Sequence, residues 1–212
     1  MLAAPASSLG AGPPVSFAPP ITTEMPNSGD SLTGSLATAD FNDDGHDDVV
    51  AYAGRVGFQT LQFAMSKVTG GSVAWEWEPL PTPPVAGGFA NEAVATAQMN
   101  PGTDSDPDVV ALGDSANEGE SLLAVYLGGA DGTFAVPVYT PVPGFASGLA
   151  VGDVNGDGIS DALISTVVET VTGRWRAEVV TLLGRGNGEF EPPIESPFAE
   201  VAEPFEIEPG GS

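Results

Sequence analysis

The chain repeats itself, and the repeat limits what it can fold into more than any other feature. The segment LATADFNDDGHDDVVA at 36–51 returns as LAVGDVNGDGISDALI at 149–164. The first aspartates of the two copies, Asp40 and Asp153, lie two periods of about 56 residues apart. A third copy therefore belongs between them. VATAQMN at 94–100 opens it and PDVVAL at 107–112 closes it, with two residues inserted between the halves. A second element keeps the same period: LLAVYLGGADGTF at 122–134 matches VVTLLGRGNGEF at 179–190.

Each unit reads as a strand, an acidic loop, a second strand, a third strand, a tight turn and an aromatic-led strand. Asp131-Gly132 and Asn187-Gly188 are two-residue hairpin signals, because both central positions of such a turn need positive φ. The aromatic-led element appears as FAPP at 17–20, WEPL at 77–80, FAVP at 134–137 and FEPP at 190–193, with Trp77 in the place of the repeated Phe. A unit of this kind is a four-stranded antiparallel sheet, the size of one propeller blade. The expected fold is all-β, with about three such blades near 17–76, 77–133 and 134–189 inside a repeat region 17–195. A flexible segment 1–16 precedes it and an acidic flexible tail 196–212 follows. A β-sandwich built by duplication is the competing architecture. Helices are disfavoured, because Gly and Pro interrupt every window long enough to hold one. Closed propellers have four to eight blades, so three units form part of a longer propeller or pair with a second copy.

The acidic loops carry the chemistry. Loop 1 places Asp40, Asn42, Asp44 and Asp48 at positions 1, 3, 5 and 9, and loop 3 places Asp153, Asn155, Asp157 and Asp161 there. Oxygen ligands at alternate positions wrap a hard cation, a glycine at position 6 (Gly45, Gly158) permits the sharp turn, and a main-chain carbonyl at position 7 (His46, Ile159) adds a ligand. A ligand set of oxygen alone selects Ca²⁺ over zinc or copper. Five carboxylates lie within 40–48, and each neighbouring pair repels by about 1 kcal/mol at ~4 Å in water. The plain alternative is a solvated acidic turn. An EF-hand is excluded, because position 12 holds Ala51 and Ile164 instead of Glu and the loops join strands. In the middle copy Gln98 replaces the first aspartate. Asn100, Asp104, Asp106 and Asp108 offer a third, degenerate site there.

A formal charge of −24 with only five Lys and Arg excludes a phosphate-backbone ligand, since no basic stripe exists to displace counterions. It equally disfavours an anionic membrane surface, and no apolar run is long enough for a membrane span. Carboxylates in such excess point to a cation or a salty exterior. With no cysteine there are no disulfides. The stretch Met1 to Pro14 lacks the charged start of a signal peptide and reads as a linker. Catalysis is poorly supported. His46 is the one histidine and sits inside loop 1, and the Gly29-Asp30-Ser31-Leu32 motif has no partner at a suitable distance. Among the aromatics, Trp77 reads as core. Trp175, between Arg174 and Arg176, is the better candidate for contact with a ligand.

The loop pattern, the Leu-Leu-Gly-x-Gly-x-Gly-x-Phe hairpin at 182–190 and the Phe-x-x-Pro that follows together resemble FG-GAP/VCBS repeats, over about residues 15–195. Such repeats occur in integrin-type α-subunit propellers and in secreted bacterial proteins. The resemblance implies calcium held by Asp40, Asn42, Asp44, the His46 carbonyl and Asp48, and by Asp153, Asn155, Asp157, the Ile159 carbonyl and Asp161. It further implies a non-catalytic binding or adhesion module, secreted or at a cell surface, whose partner is an extracellular protein or glycan. The second expectation is a carbohydrate-binding or polysaccharide-active protein on the same scaffold, because the family includes propeller-shaped polysaccharide lyases.

Overall fold

The computed structural model describes residues 35–55, 58–80, 93–115, 117, 119–171 and 173–198. These contain strands and no helix. The strands are β1 (Leu36–Ala39), β2 (Asp48–Arg55), β3 (Phe58–Thr69), β4 (Ser72–Pro79), β5 (Ala93–Ala97), β6 (Asp108–Asp114), β7 (Glu120–Tyr126), β8 (Val138–Pro143), β9 (Phe145–Gly152), β10 (Asp161–Glu169), β11 (Trp175–Leu182) and β12 (Ile194–Pro197). They pair strictly in sequence order as three four-stranded antiparallel sheets, β1–β4, β5–β8 and β9–β12. The all-β, blade-like expectation holds.

The cuts between units differ from those read in the sequence. The aromatic-led strand closes each sheet, as the order read within one unit has it, so a boundary drawn before that strand cuts the sheet. The expected boundary at 76/77 therefore falls inside β4, and the one at 133/134 falls just before the bridge that leads into β8. The stretch past the third expected blade supplies β12, whose Ser196 and Pro197 belong to the segment expected as a flexible acidic tail. It pairs with β11 from Thr181↔Ile194 to Glu178↔Pro197. The reason is hydrogen bonding: a third strand left as an edge exposes its main-chain groups, and the chain just past the hairpin is the nearest segment that can pair with them. The FAPP element, the segment 1–16, the Ser31 motif and the tail beyond residue 198 lie outside the described residues.

The sheets stack face to face because neighbouring residues on a strand point to opposite sides. In β6, Val109 and Ala111 join one core cluster, with Val50, Tyr52, Leu61 and Phe63 of the first sheet, while Val110 and Leu112 join the other, with Ala162, Ile164, Val180 and Leu182 of the third. The middle sheet is thus apolar on both faces and buried on both. Each fully buried Val, Leu or Ile side chain contributes about 1.5–3 kcal/mol. First strands lie side by side, β1 against β5 and β5 against β9. The three acidic loops, which each follow a first strand, consequently come to the same end of the stack.

Candidate metal centre: the acidic loops

Loops 1 and 3 fold alike. In loop 1 the Asp40 carboxylate accepts the main-chain N–H of Asp44 (3.1 Å) and Gly45 (2.8 Å). The Asn42 side-chain oxygen accepts Asp44 N–H (3.1 Å), and Asp44 accepts His46 N–H (2.9 Å). In loop 3, Asp153 accepts Gly156, Asp157 and Gly158 N–H (2.7, 3.2 and 2.9 Å), Asn155 accepts Asp157 N–H (2.8 Å) and Asp157 accepts Ile159 N–H (2.8 Å). Gly45 and Gly158 share φ +86°, the left-handed conformation that the turn at position 6 requires. At position 4 the loops differ. Gly156 takes φ +82° freely, whereas Asp43 is held at φ +57°, where an L-residue carries a cost of about 1–2 kcal/mol. Main-chain donors hold the exposed Asp153 carboxyl below the usual carboxylate range, Gly158 foremost and then Gly156.

The ninth position does something that spacing alone did not reveal. Asp48, Asp108 and Asp161 are fully buried. Each accepts two main-chain N–H groups, one from the loop's second residue and one from the third strand or the turn just past it. Asp48 takes Phe41 (3.1 Å) and Ser66 (2.7 Å), Asp108 takes Met99 (2.6 Å) and Gly128 (2.8 Å), and Asp161 takes Val154 (3.0 Å) and Gly184 (2.8 Å). These aspartates latch the loop to the sheet. Burial pushes Asp48 and Asp108 above their ordinary pKa, against the pull of those same donors. The sequence held one signal of this role: Asp108 persists in the middle copy, where the first aspartate is gone.

The middle loop closes on different chemistry. The Gln98 side-chain N–H₂ donates to the carbonyls of Asp104 (3.3 Å) and Asp106 (3.0 Å), and its oxygen accepts Asn100 N–H (3.0 Å). The Asn100 amide donates to Asp104 (3.0 Å).

The oxygens of loops 1 and 3 suit a hard cation by type and spacing. Asp43 to Asp47 and Asp153 to Gly158 are exposed, while Asp48 and Asp161 face inward. Among the described residues no three His, Cys, Asp or Glu side chains converge on one point. Asp40, Asp44 and Asp48, like Asp153, Asp157 and Asp161, are therefore neighbours in one turn without being closed into a cage.

The aromatic residues fix how the loops sit. Phe41, at the second position of loop 1, meets Phe63 (5.3 Å between ring centres) and Phe134 of the next sheet (5.3 Å) edge to face. Met99 occupies the same place in the middle loop and is buried in the cluster that holds Phe190. The counterpart in loop 3, Val154, is 51% exposed. Trp75, not Trp77, is the equivalent of Phe134 and Phe190. Ser66 pairs with Trp75, as Gly128 pairs with Phe134 and Gly184 with Phe190. On the third sheet Trp175 is 58% exposed and stacks obliquely on Phe145 at 5.7 Å. Its neighbour Arg176 turns to the buried Glu178 (2.8 Å).

Residues 103–164, from the middle loop through loop 3, match the family model described as an FG-GAP-like repeat, in line with the resemblance carried by the loops and hairpins. No curated protein matches the chain.

Proposed function

With an FG-GAP-like repeat as the premise, we propose that this propeller-type repeat module is a calcium-binding, non-catalytic module for binding or adhesion at a cell exterior. The observation that carries the reading is the identity of two loops far apart in the chain. Asp40–Asp48 and Asp153–Asp161 place the same oxygen-bearing residues on the same hydrogen-bond frame, after equivalent strands. A divalent ion draws the carboxylate and carbonyl oxygens together and cancels their repulsion. The ligands are Asp40, Asn42, Asp44, the His46 carbonyl and Asp48, with Asp153, Asn155, Asp157, the Ile159 carbonyl and Asp161. The latch at position 9 is compatible with ligation, since each carboxylate oxygen has a second lone pair. A formal charge of −24 supports a cation partner and opposes nucleic acid. The test is calorimetric titration of calcium into chelator-stripped protein. Asp40→Ala and Asp153→Ala are each expected to abolish one binding event and spare the other. Full binding by the double variant would overturn the reading.

The exposed Trp175–Phe145 pair favours a second reading, a carbohydrate-binding or polysaccharide-active protein on the same scaffold. A glycan array separates the two. Specific sugar binding that is lost in Trp175→Ala selects the second, and silence across the array selects the first.

A further inference from the structure

Gln98 stands directly after the first strand of its sheet, where Asp40 and Asp153 stand in theirs. A carboxylate at that place only accepts: Asp40 and Asp153 gather main-chain N–H groups. The Gln98 carboxamide also donates, and its N–H₂ group binds two main-chain carbonyls, those of Asp104 and Asp106. The Asp104 carboxylate is in turn held by the Asn100 amide (3.0 Å) and Asp106 N–H (3.3 Å). Drawing carbonyl and carboxylate oxygens around one point is the work of a divalent cation. In this loop neutral N–H donors do that work, and an ion placed among the same oxygens would face the positive ends of those N–H bonds. The acceptor left over, Asn100 Oδ1, is buried without a protein donor. One free amide oxygen falls well short of the about six to eight oxygens that Ca²⁺ takes.

We propose that Gln98 replaces a cation in the middle loop, so that 98–108 keeps its shape without metal and, of the three loops, the outer two alone take up divalent ions. This rests on the calcium reading of loops 1 and 3 for its contrast and leaves two of the three loops as ion sites. The test is hydrogen exchange on the full chain, read loop by loop in calcium and in chelator. Amides of 99–108 are expected to exchange equally in both, while those of 41–48 and 154–161 exchange about tenfold faster or more in chelator. Gln98→Ala is expected to speed exchange in 99–108 by about tenfold in calcium and chelator alike, and the isosteric Gln98→Glu, which removes the donor and supplies a carboxylate, to do so in chelator. Chelator-sensitive exchange in 99–108, or a calorimetric calcium-binding event that Asp104→Ala removes, would overturn the proposal. So would unchanged exchange in both Gln98 variants. Failure of the calcium reading itself looks different: all three loops then ignore chelator, and the two Gln98 variants alone decide the middle loop.

Discussion

At Asp108 a carboxylate with no exposed surface takes two main-chain N–H groups in the loop that lacks the first aspartate. Removing the side chain leaves the buried Met99 N–H and the half-buried Gly128 N–H unpaired, at about 1–3 kcal/mol for the first and less for the second. Asp108→Ala is therefore expected to destabilise the fold by about 2–4 kcal/mol in denaturant melts, by the same amount with calcium as with chelator. The titration of these groups follows from their surroundings. Burial raises Asp48 and Asp108 above the ordinary 3.8, while Asp153, held by the Gly158 and Gly156 N–H groups, and Asp131, held by the Thr133 hydroxyl, lie below it. The signs are opposite. The two raised groups contribute stability below pH 3.8 that fades as pH rises through their folded values. The two lowered groups contribute above 3.8 and lose that contribution as pH falls through theirs. Carboxyl-carbon NMR in chelator is expected to order the four this way, and Asp108 titrating at or below 3.8 would contradict the assignment. Asp43, at φ +57° where loop 3 has glycine, is a further point of strain. Asp43→Gly is expected to raise stability by up to about 1 kcal/mol in a thermal melt.

Hairpins set the register of each sheet, and they are where sequence reading succeeded and failed. The Asp131-Gly132 and Asn187-Gly188 turns and the repeated Phe were legible, because φ requirements and apolar period are written in residue types. The first sheet departs from them. Its β3 and β4 form one long hairpin closed by Gly70-Gly71, which moves the equivalent aromatic to Trp75, and no local signal distinguishes Trp75 from Trp77. The acidic spacing of both outer loops was equally visible. The latch role of Asp48, Asp108 and Asp161 was not, because spacing records a carboxylate without recording which way it faces. The same holds for Gln98: a lost aspartate was apparent, but the two carbonyls its amide binds are brought to it only by the folded loop. One consequence belongs to the hairpin. A Cβ on Gly184 would lie 2.3 Å from the Ser160 carbonyl oxygen, and one on Gly128 would lie 2.2 Å from that of Pro107. Gly184→Ala must push the hairpin off loop 3 and its latch. It is expected to cost at least about 1–3 kcal/mol by denaturant melt, with weakened calcium binding.

Across the whole molecule, each sheet lays one face on the sheet before it, and the aromatic of each following hairpin covers the second residue of the preceding loop. Phe134 covers Phe41 in this way, and Phe190 shares the core with Met99. Among the described residues nothing gives the third sheet such a cover on its outer side, where Val154, Phe145, Trp175, Ile194 and Phe198 are exposed. Its inner side is core. Ile164→Ala is expected to cost about 2–5 kcal/mol, and Trp175→Ala less than about 1 kcal/mol, in the same melts. The stacked sheets carry carboxylates in large excess, and bound cations are the means proposed here for holding the loop end together. A thermal melt in calcium and then in chelator tests that claim most directly. An ion at a hundred times its dissociation constant contributes about 2.7 kcal/mol, which for a chain of this length raises the midpoint by roughly 5–10 °C per site. A fall of at least about 5 °C on adding chelator is the expected result. A change smaller than about 2 °C would contradict calcium as the element that holds these loops.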